Sequence, residues 1–178
     1  MGERYTRLFS LPENLYSTGA PVIIAAGALL KDNQTGKVLA QLKLRNIAGK
    51  TIKAATVFVE PLDTVGKPLG KGISYQYLDL HADRDTDFGQ TSAIALPDAT
   101  TRSYSVLVSE VAFQDNTVWQ AAGEGWECLP SPITLDEAFN DSELVKQYRI
   151  AYGSNCQYMP TMEKDIWVCT CGKLNHRE

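Results

Sequence analysis

Histidine is scarce in this chain: only His81 and His176 occur among its 178 residues. Hydrolysis by a nucleophilic side chain needs a nucleophile, a base and a group that orients the base, so an imidazole base would have to be one of these two. Cys128 with His81 is formally available as a pair. The residues around Cys128 resemble neither a nucleophile elbow nor a papain-like site, so we expect a protein that is not an enzyme.

Long apolar runs and clusters of positive charge are also missing. No stretch approaches the ~20 residues of a membrane span, and residues 1–6 lack the apolar core of a secretory signal. The 17 Lys and Arg residues are scattered, and the formal net charge is −4. A polyanion would need a basic run to neutralise its phosphates, so nucleic acid is not favoured as a partner. The sequence predicts a cytoplasmic protein without a membrane partner.

What the sequence does contain is a series of short β-type runs separated by turn residues, with no sustained helical period between residues 22 and 119. In the second run Val38, Ala40, Leu42 and Leu44 share one face, while the other face carries Lys37, Gln41, Lys43 and Arg45, as in a strand with one buried face. The predicted strands are residues 22–30, 37–45, 52–59, 73–80, 92–96, 103–113 and 118–119. Seven strands at this spacing predict a mainly β fold, an immunoglobulin-like antiparallel β-sandwich.

The remaining residues divide into four further segments. We expect an N-terminal extension at 1–20 before the sandwich at 21–122, then a linker at 123–133, a helical segment at 134–153 that packs on the sandwich, and an irregular tail at 154–178. Thr134 and Glu137 have the spacing of a capping box, and Gly153 is placed to end the helix. Trp119 and Trp126 are expected to plug an open end of the sandwich, with anchoring of a partner as the alternative.

One resemblance lies in the third strand and the turn after it. The residues that carry it are Val57, Val59, Leu62, Asp63, Gly66 and Leu69. The pattern resembles the FxLYD-type sandwich domains of bacterial proteins, over about 90 residues of the chain, and implies a fold without a particular activity. Gly66 is expected to take a positive φ in this turn.

The four cysteines, Cys128, Cys156, Cys169 and Cys171, are too few for a disulfide-dense secreted scaffold. Cys169 and Cys171 are separated by a single residue, and a ring closed between them is expected to be badly strained. We therefore interpret this pair as metal ligands in a reducing compartment.

A second resemblance concerns the tail. Trp167, Cys169, Cys171 and Asn175 resemble the first half of a Trp-Cys-Cys-Asn zinc finger, although the two cysteines here are only one residue apart. The resemblance implies a zinc ribbon whose second cysteine pair lies beyond Glu178, in a longer parent chain. Two thiolates do not complete a tetrahedral site, so zinc is expected in the parent and absent or weak in this form.

Cys156 and His176 are weaker candidates that would complete a Cys3His set with the same pair. Unpaired thiols without a metal role are a third alternative. The residues themselves leave these alternatives open.

An acidic loop runs from Asp79 to Asp87, and three of its carboxylates, Asp83, Asp85 and Asp87, stand at alternate positions. Counted from Asp83, the places where a calcium-binding EF-hand needs glycine and glutamate hold Phe88 and Ile94. A solvated loop between strands is therefore the favoured interpretation.

These observations favour a non-catalytic protein-binding or assembly module with an incomplete zinc-ribbon tail. Its partner is expected to be a protein, bound through an edge strand or the end loops, and a homo-oligomer formed through the sandwich edges is a further alternative. Two other functions stay open: a metal-dependent accessory or hydrolytic domain that uses residues 79–87, and nucleic-acid binding through the zinc-finger tail.

Overall fold

The computed structural model of the chain describes residues 2–176 and divides into two compact units, unit 1 from Met1–Cys128 and unit 2 from Leu129–Glu178. Within the described residues, unit 1 contains eleven strands. They are β1 Tyr5–Ser10, β2 Leu15–Tyr16, β3 Val22–Asp32, β4 Val38–Asn46, β5 Ile52–Leu62, β6 Ile73–Tyr77, β7 Asp87–Phe88, β8 Ile94–Leu96, β9 Ser103–Phe113, β10 Val118–Gln120 and β11 Glu127–Cys128.

The strands of unit 1 form two antiparallel sheets. The larger sheet has the order β11-β2-β3-β4-β7, with β1 also paired to β3 and β8 to β4, and the smaller has the order β10-β9-β5-β6. Apolar side chains from both sheets form one core cluster. The predicted mainly β, antiparallel sandwich is confirmed.

The alternation predicted for the second run is present in β4. Val38, Ala40, Leu42 and Leu44 are fully buried, while Gln41 and the other residues between them are half-buried on the opposite face. The pleat of a strand points successive side chains to opposite faces, so this strand has a core side and an outer side. The outer side of β4 forms part of the groove described below.

Residues 1–20 differ from the predicted extension, because β1 and β2 both pair with β3. Pro12 interrupts residues 5–16, and so does Asn14, which has a φ of 54°. The two short strands on either side therefore show no continuous strand pattern in the sequence. The predicted linker also contributes a strand, since Glu127 of β11 pairs with Tyr16 of β2.

The predicted strand at 73–80 is shorter in the structure, since β6 ends at Tyr77. Asp79 has a left-handed φ of 55°, which ends the extended conformation. In the turn that follows β5, Gly66 has the expected positive φ, 80°, and the Asp63 side chain accepts hydrogen bonds from the Val65 and Lys67 amides, both at 2.9 Å.

Over residues 129–176, unit 2 contains two helices and a small antiparallel sheet. They are α1 Leu135–Phe139, α2 Ser142–Tyr152, β12 Thr161–Glu163, β13 Ile166–Val168 and β14 Leu174–His176. The predicted helical segment is thus split, because Asn140 takes a left-handed φ of 48° and Asp141 caps a new helix. The tail is not irregular, since its strands pair in the order β12-β13-β14.

The predicted capping box of α1 is present. The Thr134 hydroxyl accepts a hydrogen bond from the Glu137 amide at 3.2 Å, and the Glu137 carboxylate accepts one from the Thr134 amide at 3.0 Å. The second helix ends at Gly153, as predicted. Neither helix found in residues 2–176 has the length and apolar character needed to cross a membrane.

Candidate functional site

The outer face of the larger sheet carries a groove of about 340 Å³. We call it the β3–β4 groove, and its lining residues are Arg7, Ser10, Leu11, Glu13, Ala26, Gly27, Ala28, Gln41, Leu42, Lys43 and Gln90. Ala26 pairs with Lys43 and Ala28 with Gln41 across the two strands. Because directly paired residues share a face, the two alanines form a floor between longer polar side chains.

The floor is low because β3 has no large side chain at this point. Gly27 lies between the two alanines, and a Cβ atom there would be 2.4 Å from Leu11 Cδ1 and 2.6 Å from the Tyr104 hydroxyl oxygen. These side chains already fill the space beneath β3, so only glycine fits. The register of β3 also shifts between Ile24 and Ala26, as at a β-bulge.

Tyr104 holds the two central strands from the core side. Its hydroxyl oxygen lies 3.3 Å from the carbonyl oxygens of both Ala28 and Gln41, and it donates to one of them at a time. Burial raises the pKa of the Tyr104 phenol well above its usual value, so the group stays protonated and remains a donor. The Tyr104 hydroxyl therefore links β3 and β4 beneath the floor of the groove.

Charged groups of both signs line the groove. The side chains of Arg7 and Glu13 have no hydrogen-bond or ion-pair partner within residues 2–176, so both charges are available to a ligand. The Gln41 amide nitrogen donates to the Gln90 carbonyl at 2.6 Å, which fixes the orientation of this side chain. Lys43 adds a second cation, 4.0 Å from the Asp87 carboxylate.

The acidic loop supplies structural contacts at two of its carboxylates. Asp87 accepts from the Arg45 guanidinium at 2.7 and 3.2 Å, and this pairing raises the pKa of Arg45. Asp83 accepts from the Thr51 hydroxyl at 2.6 Å and lies 3.8 Å from His81. Over the part of the chain that the structure describes, no three His, Cys, Asp or Glu side chains are grouped as metal ligands.

The two cysteines predicted to bind metal are joined in a disulfide between Cys169 and Cys171. The sequence favoured metal ligands over a strained ring, whereas the structure contains the ring. Between β13 and β14 the Gly172 amide donates to the Cys169 carbonyl at 2.8 Å, which curls the backbone. The Cα atoms of the two cysteines are thus 5.3 Å apart, within the usual range for disulfides. The zinc half-site stays a prediction for the reduced chain.

The two weaker zinc candidates have other contacts. Cys156 is buried in a cluster with Leu135 and Val145, and its sulfur lies 3.6 Å from the Tyr152 carbonyl oxygen. The His176 Nε2 atom is 3.1 Å from the Asp165 carboxylate. The expected continuation of the chain concerns Glu178, which lies outside the described residues.

The other residues proposed from sequence lie apart from the groove lining. Cys128 is exposed in β11, and within residues 2–176 no hydrogen bond joins it to His81. Trp119 and Trp126 are half-buried and pack against the sandwich core, which supports their structural interpretation. Sequence reasoning missed the groove. Its one local signal is the run of small residues 25–28 inside an apolar strand.

No family model, curated protein or solved structure matches this chain. The FxLYD-type and zinc-finger resemblances therefore stay predictions. Any functional assignment depends on the chemistry of the residues themselves.

Proposed function

We propose that unit 1 is a non-catalytic protein-binding module and that the β3–β4 groove holds a short extended segment of a partner protein. The observation that carries this proposal is the presence of two unpaired charges of opposite sign, Arg7 and Glu13, in the lining of one groove. A bound segment with one acidic and one basic side chain would satisfy both. A purely anionic ligand would be repelled by the Glu13 carboxylate.

The dimensions of the groove support a short segment. Ligand pockets usually enclose ~300–1,000 Å³, and the β3–β4 groove, at about 340 Å³, lies at the small end of that range. Its floor of Ala26, Gly27 and Ala28 lets a ligand backbone approach the sheet closely. The groove therefore suits a few residues of extended chain.

The polar groups of the lining support binding to peptide groups. Gln41 keeps its amide oxygen as an acceptor while its nitrogen is held by Gln90, and the Ser10 hydroxyl can donate or accept. Ion pairs to exposed residues such as Arg7 are weak individually and are screened by salt. We expect a transient complex whose affinity falls as the salt concentration rises.

The proposal is tested by selecting binders from a random peptide library displayed on phage and measuring their affinities. Enriched peptides should carry charges of both signs and shift the backbone amide NMR signals of Arg7, Gln41 and Lys43. Ala26→Phe fills the groove from its floor and should weaken binding at least about tenfold, equivalent to ~1.4 kcal/mol. Ala95→Phe is the matched control, because Ala95 is exposed in β8 of the same sheet and lies outside the groove lining.

Two results would count against the groove. One is a library that yields no binder to the natural chain. The other is a set of binders that Ala26→Phe and Ala95→Phe weaken equally, because this outcome would place the peptide elsewhere on the sheet.

The two alternative functions have direct tests of their own. Calcium at about 100 times its dissociation constant should stabilise a metal-binding acidic loop by ~2.7 kcal/mol, which a thermal melt detects. Nucleic-acid binding should be strongest at low salt, so a fluorescence titration with single-stranded RNA at about 50 mM salt checks it.

A further inference from the structure

The Cys169–Cys171 disulfide of unit 2 is open to attack from solvent. It lies in the turn between β13 and β14, where Cys171 is exposed and Cys169 is half-buried. Thiolates reach the sulfur atoms of exposed disulfides readily, and exchange at such bonds is faster than at buried ones. An attacking thiolate therefore reaches Cys171 more easily than Cys169.

The bridge adds little constraint to the chain, because its cysteines are only two positions apart. The loop-entropy gain from a disulfide grows with the number of residues it encloses, and this one encloses almost the smallest loop that two cysteines can form. Its main effect on unit 2 is therefore chemical rather than structural.

Hydrogen bonds hold the turn without help from the disulfide. The Cys169 amide donates to the Lys173 carbonyl at 3.0 Å, and the Gly172 amide donates to the Cys169 carbonyl at 2.8 Å. The carbonyl of Thr170, between the two cysteines, accepts from the amides of Gln157 at 2.9 Å and Tyr158 at 3.0 Å. The residue between the two cysteines is thus fixed to the segment at 157–158, and the turn is closed by its own hydrogen bonds.

An aromatic contact completes the support of the turn. Gly172 has a φ of +84°, and a Cβ atom there would lie 2.7 Å from the Tyr158 ring, so the ring packs directly on the glycine backbone. With the backbone held in this way, two free thiols would stay close together after reduction. Groups held near each other react with a high effective concentration, so the ring should close again readily.

We propose that Cys169 and Cys171 form a reversible thiol–disulfide exchange site that takes two electrons from a dithiol. A thiolate of the dithiol attacks the Cys171 sulfur, the S–S bond breaks, and Cys169 leaves as a thiolate that takes up a proton. The second thiol of the dithiol then loses its proton and attacks the first sulfur of the dithiol, which is bonded to Cys171 in the mixed disulfide. This step expels Cys171 as a thiolate, which is protonated in turn. The dithiol is oxidised to a disulfide, and the two protons and two electrons that it loses appear in the two protein thiols.

Dithiothreitol in excess serves as the dithiol in the first test, applied to the folded full-length chain with Cys128→Ser as the background that removes the other exposed thiol. Alkylation followed by mass spectrometry should show both thiols appearing together and disappearing again in oxidised dithiothreitol. The melting temperature should change by less than about 4 °C, the shift that ~1 kcal/mol produces in a domain of this size. Reduction that needs denaturant, failure to re-form the bond, or loss of the fold on reduction would each overturn the proposal.

The direction of attack has its own test in two single variants on the same background. Cys169→Ser leaves the exposed Cys171 thiol, and Cys171→Ser leaves the half-buried Cys169 thiol. The first variant should react with an aromatic disulfide reagent at least about tenfold faster, and both should melt close to the parent chain. Equal rates, or a faster Cys169, would contradict attack at Cys171.

Discussion

At the scale of single residues, Tyr77 and Tyr104 are two buried tyrosines of the sandwich core with different surroundings. The Tyr104 hydroxyl contacts two backbone carbonyls at 3.3 Å, whereas the buried Tyr77 hydroxyl has no hydrogen-bond partner within residues 2–176. Burial raises the pKa of both phenols. A buried hydroxyl without a partner loses its water contacts and gains nothing in return.

This difference predicts opposite effects of the same substitution. Tyr104→Phe should lower the free energy of unfolding by ~0.5–1.5 kcal/mol, the usual net value of one hydrogen bond. Tyr77→Phe should leave stability unchanged or raise it, since it removes only a desolvated group. Urea unfolding of the two variants measures both, and a larger loss in Tyr77→Phe than in Tyr104→Phe would show that the hydroxyl environments are assigned incorrectly.

Gly27 is the residue whose missing side chain makes room beneath the groove floor. Gly27→Ala should destabilise the chain by ~1–3 kcal/mol, because the new methyl group would overlap Leu11 and the Tyr104 hydroxyl. Gly125→Ala is the matched control, since a Cβ atom at Gly125 has no neighbour within 4 Å. Denaturant midpoints compare the two, and equal midpoints would mean that the core under β3 adjusts freely.

At the scale of elements, the turn between β3 and β4 depends on one carboxylate. Asp32 accepts hydrogen bonds from the amides of Gln34 at 2.9 Å and Thr35 at 3.3 Å, and it pairs with Arg4 at 3.3 Å. These contacts, the Gln34 amide first, hold the pKa of Asp32 below its ordinary value. The Arg4 carbonyl also accepts from the Asn33 amide at 2.8 Å, so the turn is tied to the segment that leads into β1.

A lowered pKa in the folded state makes stability depend on pH in one direction. The stabilisation by Asp32 is complete above the unfolded-state pKa of about 4 and is lost as the pH falls below that value, because protonation weakens its contacts. The difference in melting temperature between the natural chain and Asp32→Asn should therefore be largest near neutral pH and shrink from about pH 4 downward. A difference for Asp32→Asn that is constant with pH would contradict the assignment.

At the scale of the whole molecule, the sandwich includes more of the chain than the regular strands that the sequence pattern predicts. Its core cluster lies entirely within unit 1 and includes Leu11 and Leu15, which come from the segment around β1 and β2. The edge strand β11 pairs with β2 near the end of the same unit. The cooperative unit should therefore begin before β1 and end after β11.

Two fragments test this boundary. The fragment 1–128 should unfold in one cooperative urea transition. The fragment 21–122, cut where the sequence pattern begins and ends, should be less stable by roughly 3–6 kcal/mol, because two buried leucines at ~1.5–3 kcal/mol each are lost with their strands. Equal stability of the two fragments would mean that β1, β2 and β11 do not stabilise the sandwich.

The sequence by itself determined the features that depend on neighbours along the chain. The alternation of β4, the positive φ of Gly66 and the capping box of Thr134 and Glu137 are set by interactions within a few residues, so a local pattern contains the necessary information. The overall class, a mainly β antiparallel sandwich, follows from repetition of such patterns. The binding role and the zinc half-site, which also came from the sequence, stay predictions.

Tertiary structure alone decided the pairings between distant residues. Glu127 meets Tyr16 across more than a hundred positions, and two-residue strands such as β2 and β11 have too few side chains to show a period of their own. The β3–β4 groove likewise combines residues of β1, β3, β4 and the loop at Gln90, none of which is distinctive alone. The Cys169–Cys171 bridge depends on a backbone turn held by Gln157 and Tyr158, and their hydrogen bonds exist only once that segment has packed against it.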